Sequence, residues 1–202
     1  MEPGSWHDHA RSAVVWLQDQ GIAVDPSPFG CGAYGCVYAV QNDDDKVLKL
    51  TSDGREGAAA NRRMTLRDVH GAARVFAVIE IPRSPLVAIL QEKLHPLSER
   101  EYAVLARLLP GAARELAKEF PQHIFHGEAV DLLDEVERQL GKAARIHLTH
   151  LAGAWAAFER AGIPTDSFTV VDVLKDRFGR WKAVDFGEHG GLPDSDLLVH
   201  RG

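Results

Sequence analysis

The sequence predicts an α+β fold, in which a small antiparallel sheet with one inserted helix precedes a mainly helical second half that closes on a β-hairpin. Three observations predict it. Over 26–91 the apolar runs are short and β-branched, as strands require. Beyond Pro96 the apolar residues recur at helical spacing. Near the end, two short apolar runs flank a polar stretch containing Gly179, a hairpin pattern.

Taken in order, 9–20 sets Val14, Val15 and Leu17 among polar residues as a short amphipathic helix that stops at Gly21. The runs 36–40, 47–50, 75–81 and 86–90 read as strands, and Gln41-Asn42-Asp43-Asp44-Asp45 is the turn between the first two. The Ala-rich, charged stretch 54–69 favours a helix inserted between strands. Pro82 and Pro85 bracket a second hairpin turn. Ser98-Glu99-Arg100-Glu101 fits a capping box, and Pro110-Gly111 closes the helix it opens. Helical patterns continue over 112–120 and 132–140. The strongest places Leu148, Leu151, Trp155 and Phe158 on one face, with Gly162 and Pro164 ending it. The runs 169–174 and 181–184 form the terminal hairpin. These elements divide the chain into a helical extension (1–25), a β-rich part (26–94) and a helical part (95–202).

The formal net charge of −6 excludes a general electrostatic attraction to nucleic acid or anionic lipid. No run of about 20 apolar residues offers a membrane span, and 1–20 carries Trp6, Asp8, Arg11 and Asp19 where a cleaved leader would be apolar. A cytoplasmic, reducing location is expected; delivery to a host cell without a cleaved leader would leave no mark. The two cysteines, Cys31 and Cys36, are too few for a disulfide framework; an oxidised pair between them would distort the glycine-rich stretch they flank, and two ordinary small side chains are the favoured expectation. His147 with His150, and His123 with His126, could share helix faces, but no third ligand accompanies them and no zinc site is expected.

The chemistry-bearing residues lie at three places. Gly30-Cys31-Gly32-Ala33-Tyr34-Gly35-Cys36-Val37 has the spacing G-x-G-x-x-G-x-V, and a strand rather than a helix follows it. Such a glycine-rich hairpin can lay backbone amides over phosphates. Twelve residues beyond Val37, Lys49 stands inside the apolar run Val47-Leu48-Lys49-Leu50. A buried ammonium needs an anionic partner unless the side chain snorkels to solvent, and Glu56 on the following helix can supply one. Glu56 could instead pair at the surface with Arg55, Arg62 or Arg63. Near the C-terminus, Asp185 in Val184-Asp185-Phe186-Gly187 ends one strand of the hairpin, and Asp172 lies thirteen residues earlier. Two carboxylates at the strand ends of one hairpin can converge on a divalent cation such as magnesium.

Together these motifs, in this order from Gly30 to Gly187, resemble a protein kinase of very small size. The resemblance implies a two-lobed protein kinase-like fold with ATP and Mg2+ bound between the lobes. Gly30, Gly32, Gly35 and Val37 would cover the nucleotide, and Lys49, held by Glu56, would bind its α- and β-phosphates. Gln91, Glu92, Lys93 and Leu94 would form the hinge whose backbone bonds the adenine, with Leu90 guarding the back of the pocket. Asp172 and Asp185 would hold the metal. The product would be a phosphorylated hydroxyl, with a protein Ser/Thr substrate favoured over a small molecule.

The sequence departs from the family in two respects. The position of the family's catalytic Asp falls on Ser167, whose hydroxyl cannot accept a proton near neutral pH; the adjacent Asp166 could serve as the base if the loop is reshaped, and as a turn or cap residue if it is not. Asp172 stands where the family has Asn, a change that keeps an oxygen ligand. The second departure is the lack of the segment with which full-sized kinases hold a peptide, an economy shared by small kinase-like proteins of bacterial effectors and phages. The alternative is a pseudokinase, a nucleotide-binding or protein-interaction module.

Overall fold

The computed structural model describes residues 6–32, 34–66, 69–109, 112–120, 125–163 and 170–184, with 112–114 described as backbone alone. Helix α1 (Trp6–Asp19) is followed by Gly21, whose φ of +83° turns the chain back. Five strands come next: β1 (Gly30–Cys31), β2 (Gly35–Ala39), β3 (Lys46–Thr51), β4 (Val75–Glu80) and β5 (Val87–Glu92). Helix α2 (Gly54–Met64) joins β3 to β4, capped by Asp53, which accepts from the Arg55 N–H at 2.8 Å. The strands form one antiparallel sheet in the order β1-β2-β3-β5-β4.

The two-residue period of each strand decides which helix its side chains meet. Leu48 and Leu50 of β3 and Ala88 of β5 pack with Ala10, Ala13, Val14 and Leu17 of α1. Ile89 of β5 and Val75 of β4 pack instead with Ala60 of α2. The sheet therefore carries a helix on each face. The segment that reads as an extension is part of this packing: Val24 bridges to Val40, and Leu17 is wholly buried.

The second half comprises α3 (Glu99–Leu108), α4 (Ala112–Glu119), α5 (Gly127–Leu140) and α6 (Lys142–Arg160). The capping box at the start of α3 is present, and the Ser98 N–H donates to Glu101 Oε2 at 2.8 Å. Leu148, Leu151, Trp155 and Phe158 of α6 are all 0% exposed, surrounded by Leu105, Leu116, Leu133 and Val136 from the other three helices. Each such side chain contributes about 2 kcal/mol by leaving water. Helix α5 begins before the apolar pattern at 132–140, because Ala129 alone is buried in its first turn.

A 3-10 turn (Val170–Asp172) leads into the hairpin β6 (Val173–Lys175) and β7 (Trp181–Ala183). This hairpin joins the helices to the sheet. Trp181 is 1% exposed in the helical core, while the Ala183 N–H donates to the Gly71 carbonyl at 2.7 Å and the Ala73 N–H to the Ala183 carbonyl at 2.9 Å. His95 and Lys175 exchange two backbone hydrogen bonds, each of 2.7 Å. Gly71 has a φ of +83°, and a Cβ there would stand 2.3 Å from the His150 carbonyl oxygen, so the loop after α2 can pass this close to α6 only as glycine.

Candidate functional site

The glycine-rich segment is the β1–β2 hairpin. Gly30 faces Val37 and Cys31 faces Cys36 across the two strands, and the Gly32 N–H donates to the Gly35 carbonyl at 2.8 Å. The glycines differ in their reasons. A Cβ at Gly35 would stand 2.2 Å from the Leu50 carbonyl oxygen, so glycine there is imposed by β3. At Gly30 and Gly32 nothing among the described residues lies within 4 Å of that position, so no contact there imposes glycine. The tip is anchored: the Tyr34 carbonyl accepts the Ser52 N–H at 2.9 Å and the Ser52 hydroxyl at 3.2 Å.

The expectation of two ordinary thiols is corrected here. Cys31 and Cys36 form a disulfide, because the β1–β2 register sets them directly opposite, with Cα atoms 4.0 Å apart. The bond closes a loop with a sequence separation of 5, for which chain entropy gives about 2 kcal/mol of stabilisation. The Cys31→Ser, Cys36→Ser double variant is therefore expected to lose about that much in urea unfolding, and reductant is expected to produce the same loss in the parent chain. Two alkylatable thiols in the unreduced protein would contradict the pairing.

Lys49 and Glu56 form an ion pair with side chains 19% and 12% exposed. The alternation of β3 explains it: Leu48 and Leu50 turn toward α1, so Lys49 turns toward the face that α2 covers. The Asp53 cap starts α2 so that Glu56 falls in its first turn, where the helix dipole also favours a carboxylate. Two of the three arginines that could have competed for Glu56, Arg62 and Arg63, have carbonyl acceptors elsewhere. Arg62 donates to the Gly162 carbonyl. Arg63 is 6% exposed and donates to the Val184 carbonyl and to the Ala73 carbonyl, each at 2.6 Å.

The expected hinge is narrower than 91–94. Gln91 and Glu92 belong to β5, the Glu92 N–H donates to the Arg74 carbonyl at 2.9 Å and the Lys93 N–H to the Asp45 carbonyl at 2.8 Å. Two of the amides assigned to adenine are thus already bonded, since β5 continues pairing further than its apolar run. Leu94 keeps an N–H with no backbone partner among the described residues.

Asp172 is 2% exposed at the end of the 3-10 turn, and its carbonyl accepts the Val184 N–H at 2.9 Å. Asp185, the residue after Val184, lies outside the described residues, as do Asp166, Ser167 and Gly187. Asp172 is a buried oxygen donor of the kind magnesium takes, one carboxylate of the one or two it ordinarily uses beside phosphate. Among the described residues no group of three or more His, Cys, Asp or Glu is placed to hold a metal by itself. His147 packs its ring against Trp181 and His150 stacks on His70, with centroids 5.5 and 5.4 Å apart.

Two residues beneath the site had no functional reading in the sequence. Arg63 ties α2 to the strand end that precedes Asp185. Glu101, besides capping α3, accepts Lys175 Nζ at 2.8 Å and Trp181 Nε1 at 3.1 Å, fixing the hairpin to the helices. Burial pushes the Glu101 carboxyl up, but the bonds from Lys175, Ser98 and Trp181 outweigh it and hold the group at about 2. The folded value lies below the unfolded one, so this stabilisation is complete above about pH 4.5 and disappears as pH falls toward 2. Glu101→Gln is expected to flatten the acid limb of the stability curve over that window, measured by urea unfolding at successive pH values. An unchanged limb would contradict the assignment.

Among the described residues no helix is long and apolar enough to cross a membrane. No protein-family model matches the chain, and neither does any curated protein.

Proposed function

We propose that the chain is a minimal protein kinase-like phosphotransferase that binds ATP and Mg2+ between a sheet-based lobe and a helical lobe. The observation that carries this reading is the Lys49–Glu56 ion pair, on the strand next to a glycine-rich hairpin at whose first two glycines no contact among the described residues imposes glycine. A lysine and glutamate held together at low exposure are what a site for phosphate oxygens needs, because the carboxylate fixes the ammonium while leaving it protons to donate.

In this reading the amides around Gly30 and Gly32 cover the phosphates, Lys49 donates to them, and the Leu94 N–H meets the adenine edge. Val37 and Leu90 would enclose the base. Asp172 and Asp185 would hold Mg2+, which supplies charge neutralisation at the phosphates. Asp166 would take the proton of the acceptor hydroxyl, and a protein Ser/Thr is the favoured acceptor. Positioning and charge stabilisation then carry most of the catalysis. The place of action expected from the sequence is a cytoplasm, the cell's own or a host's; the Cys31–Cys36 disulfide stands against it, because a reducing cytosol keeps such thiols apart. The second reading, a pseudokinase that binds nucleotide or a partner protein without transfer, is favoured by Ser167 at the position of the family's catalytic Asp.

Two measurements test this. ATP with magnesium at about a hundredfold its Kd is expected to raise the melting temperature by about 5–10 °C. Transfer of label from γ-labelled ATP to protein in a cell lysate is expected from the parent chain and is expected to vanish in Asp185→Ala and in Asp166→Ala. A melting shift without transfer assigns the pseudokinase reading. The absence of both overturns the nucleotide site.

A further inference from the structure

Along the outer end of β4 and β5, the β2–β3 turn and the β6–β7 hairpin runs an open groove of about 460 Å³. Five of its lining residues are Lys or Arg and three are Asp or Glu, a local reversal of sign on a chain whose formal charge is −6. Part of this charge is engaged internally. Asp45 pairs with Arg177, Arg180 with Asp176, and a Glu92 carboxylate oxygen accepts the Arg74 N–H at 3.1 Å. Arg74, Lys93 and Lys182 remain without a carboxylate partner for their side chains among the described residues. Arg74 lies over the Phe76 ring at 5.1 Å, and Lys182 reaches only the Ala72 carbonyl, at 3.4 Å. At the rim Phe178 is 66% exposed, flanked by the guanidinium groups of Arg177 and Arg180 at 4.8 and 5.0 Å.

We propose that this groove docks an acidic segment of a partner protein, with carboxylates on Arg74, Lys93 and Lys182 and an apolar side chain on Phe178. Charge complementarity selects that occupant. Three outward cations can each take a carboxylate, and the exposed ring adds the apolar contact that holds such a segment in register. A peptide can space its acids to avoid Asp44, Asp45 and Glu92. A nucleic-acid backbone, with a charge at every nucleotide, would meet those carboxylates and the chain's overall negative field. Lys49, Glu56, Asp172 and the glycine-rich hairpin do not line this groove, which shares only Glu92 and Lys93 with the segment expected to meet adenine, so the peptide test reads a surface apart from the phosphate site.

The test uses the full chain and a fluorescein-labelled peptide of alternating Glu and Ser with a central Leu, read by anisotropy. Saturable binding is expected, weakening as salt rises and falling about tenfold in the Arg74→Gln, Lys182→Gln double variant. Carbodiimide coupling of the same peptide to the unaltered chain is expected to mark Lys93 or Lys182, a readout that needs no variant to fold. Absent binding, undiminished binding by a folded double variant, or coupling at other lysines overturns the proposal. Tighter binding of a single-stranded oligonucleotide of equal charge overturns it too and gives the groove to nucleic acid.

Discussion

Replacing Arg63 with Met is expected to destabilise the protein by about 3–5 kcal/mol, a large part of the stability of a domain this size. The side chain is 6% exposed and its guanidinium meets two carbonyls from different parts of the chain, Ala73 after α2 and Val184 at the end of the hairpin. Met fills much of the volume but donates nothing. Both carbonyls then lose a charge-assisted bond, and each buried acceptor left unmet costs about 1–3 kcal/mol. Arg63→Lys is expected to recover part of the loss, because one ammonium cannot span both acceptors with the planar geometry of a guanidinium. Urea unfolding of the two variants checks this. Equal stability of Arg63→Met and the parent would show that packing and the backbone bonds of Ala183 to Gly71 and Ala73 hold the hairpin without Arg63. The consequence reaches the candidate site, since Val184 immediately precedes Asp185: a loosened Val184 is expected to weaken magnesium-dependent nucleotide binding more than magnesium-free binding.

Arg63 also shows what a single sequence conceals. It stands beside Arg62 in a polar helix and reads as a solvated charge; its acceptors lie 10 and 121 residues away, and no local pattern announces them. The strands, the capping box at Ser98 and the apolar stripe of α6 were legible because periodicity and caps are local properties. The disulfide was legible only as the less favoured state of Cys31 and Cys36, since its formation depends on a register of the β1–β2 pair that is set only in the folded chain. The backbone bonding of 91–94 was not legible either. Where β5 stops pairing depends on the carbonyls of Arg74 and Asp45, which belong to other elements. Asp166 and Asp185 take their roles from the resemblance to protein kinases and lie outside the described residues.

Exchanging the charges of Lys49 and Glu56 separates what the pair does for the fold from what it does for a ligand. Lys49→Glu alone sets two carboxylates together at low exposure, and Glu56→Lys alone sets two ammonium groups there; each is expected to cost about 2–4 kcal/mol. The double exchange restores opposite charges between β3 and α2 and is expected to return at least half of that loss. If Lys49 serves only the fold, the exchanged protein should match the parent in every assay. The candidate site demands otherwise. A carboxylate on β3 now faces where the phosphates would lie, while the new ammonium hangs from the first turn of α2. The stabilisation by ATP and magnesium is therefore expected to vanish in the exchanged chain although its own stability has largely returned. A folded, exchanged protein that still gains several degrees from ATP would remove Lys49 from the nucleotide site, and with it the observation on which the phosphotransferase reading rests.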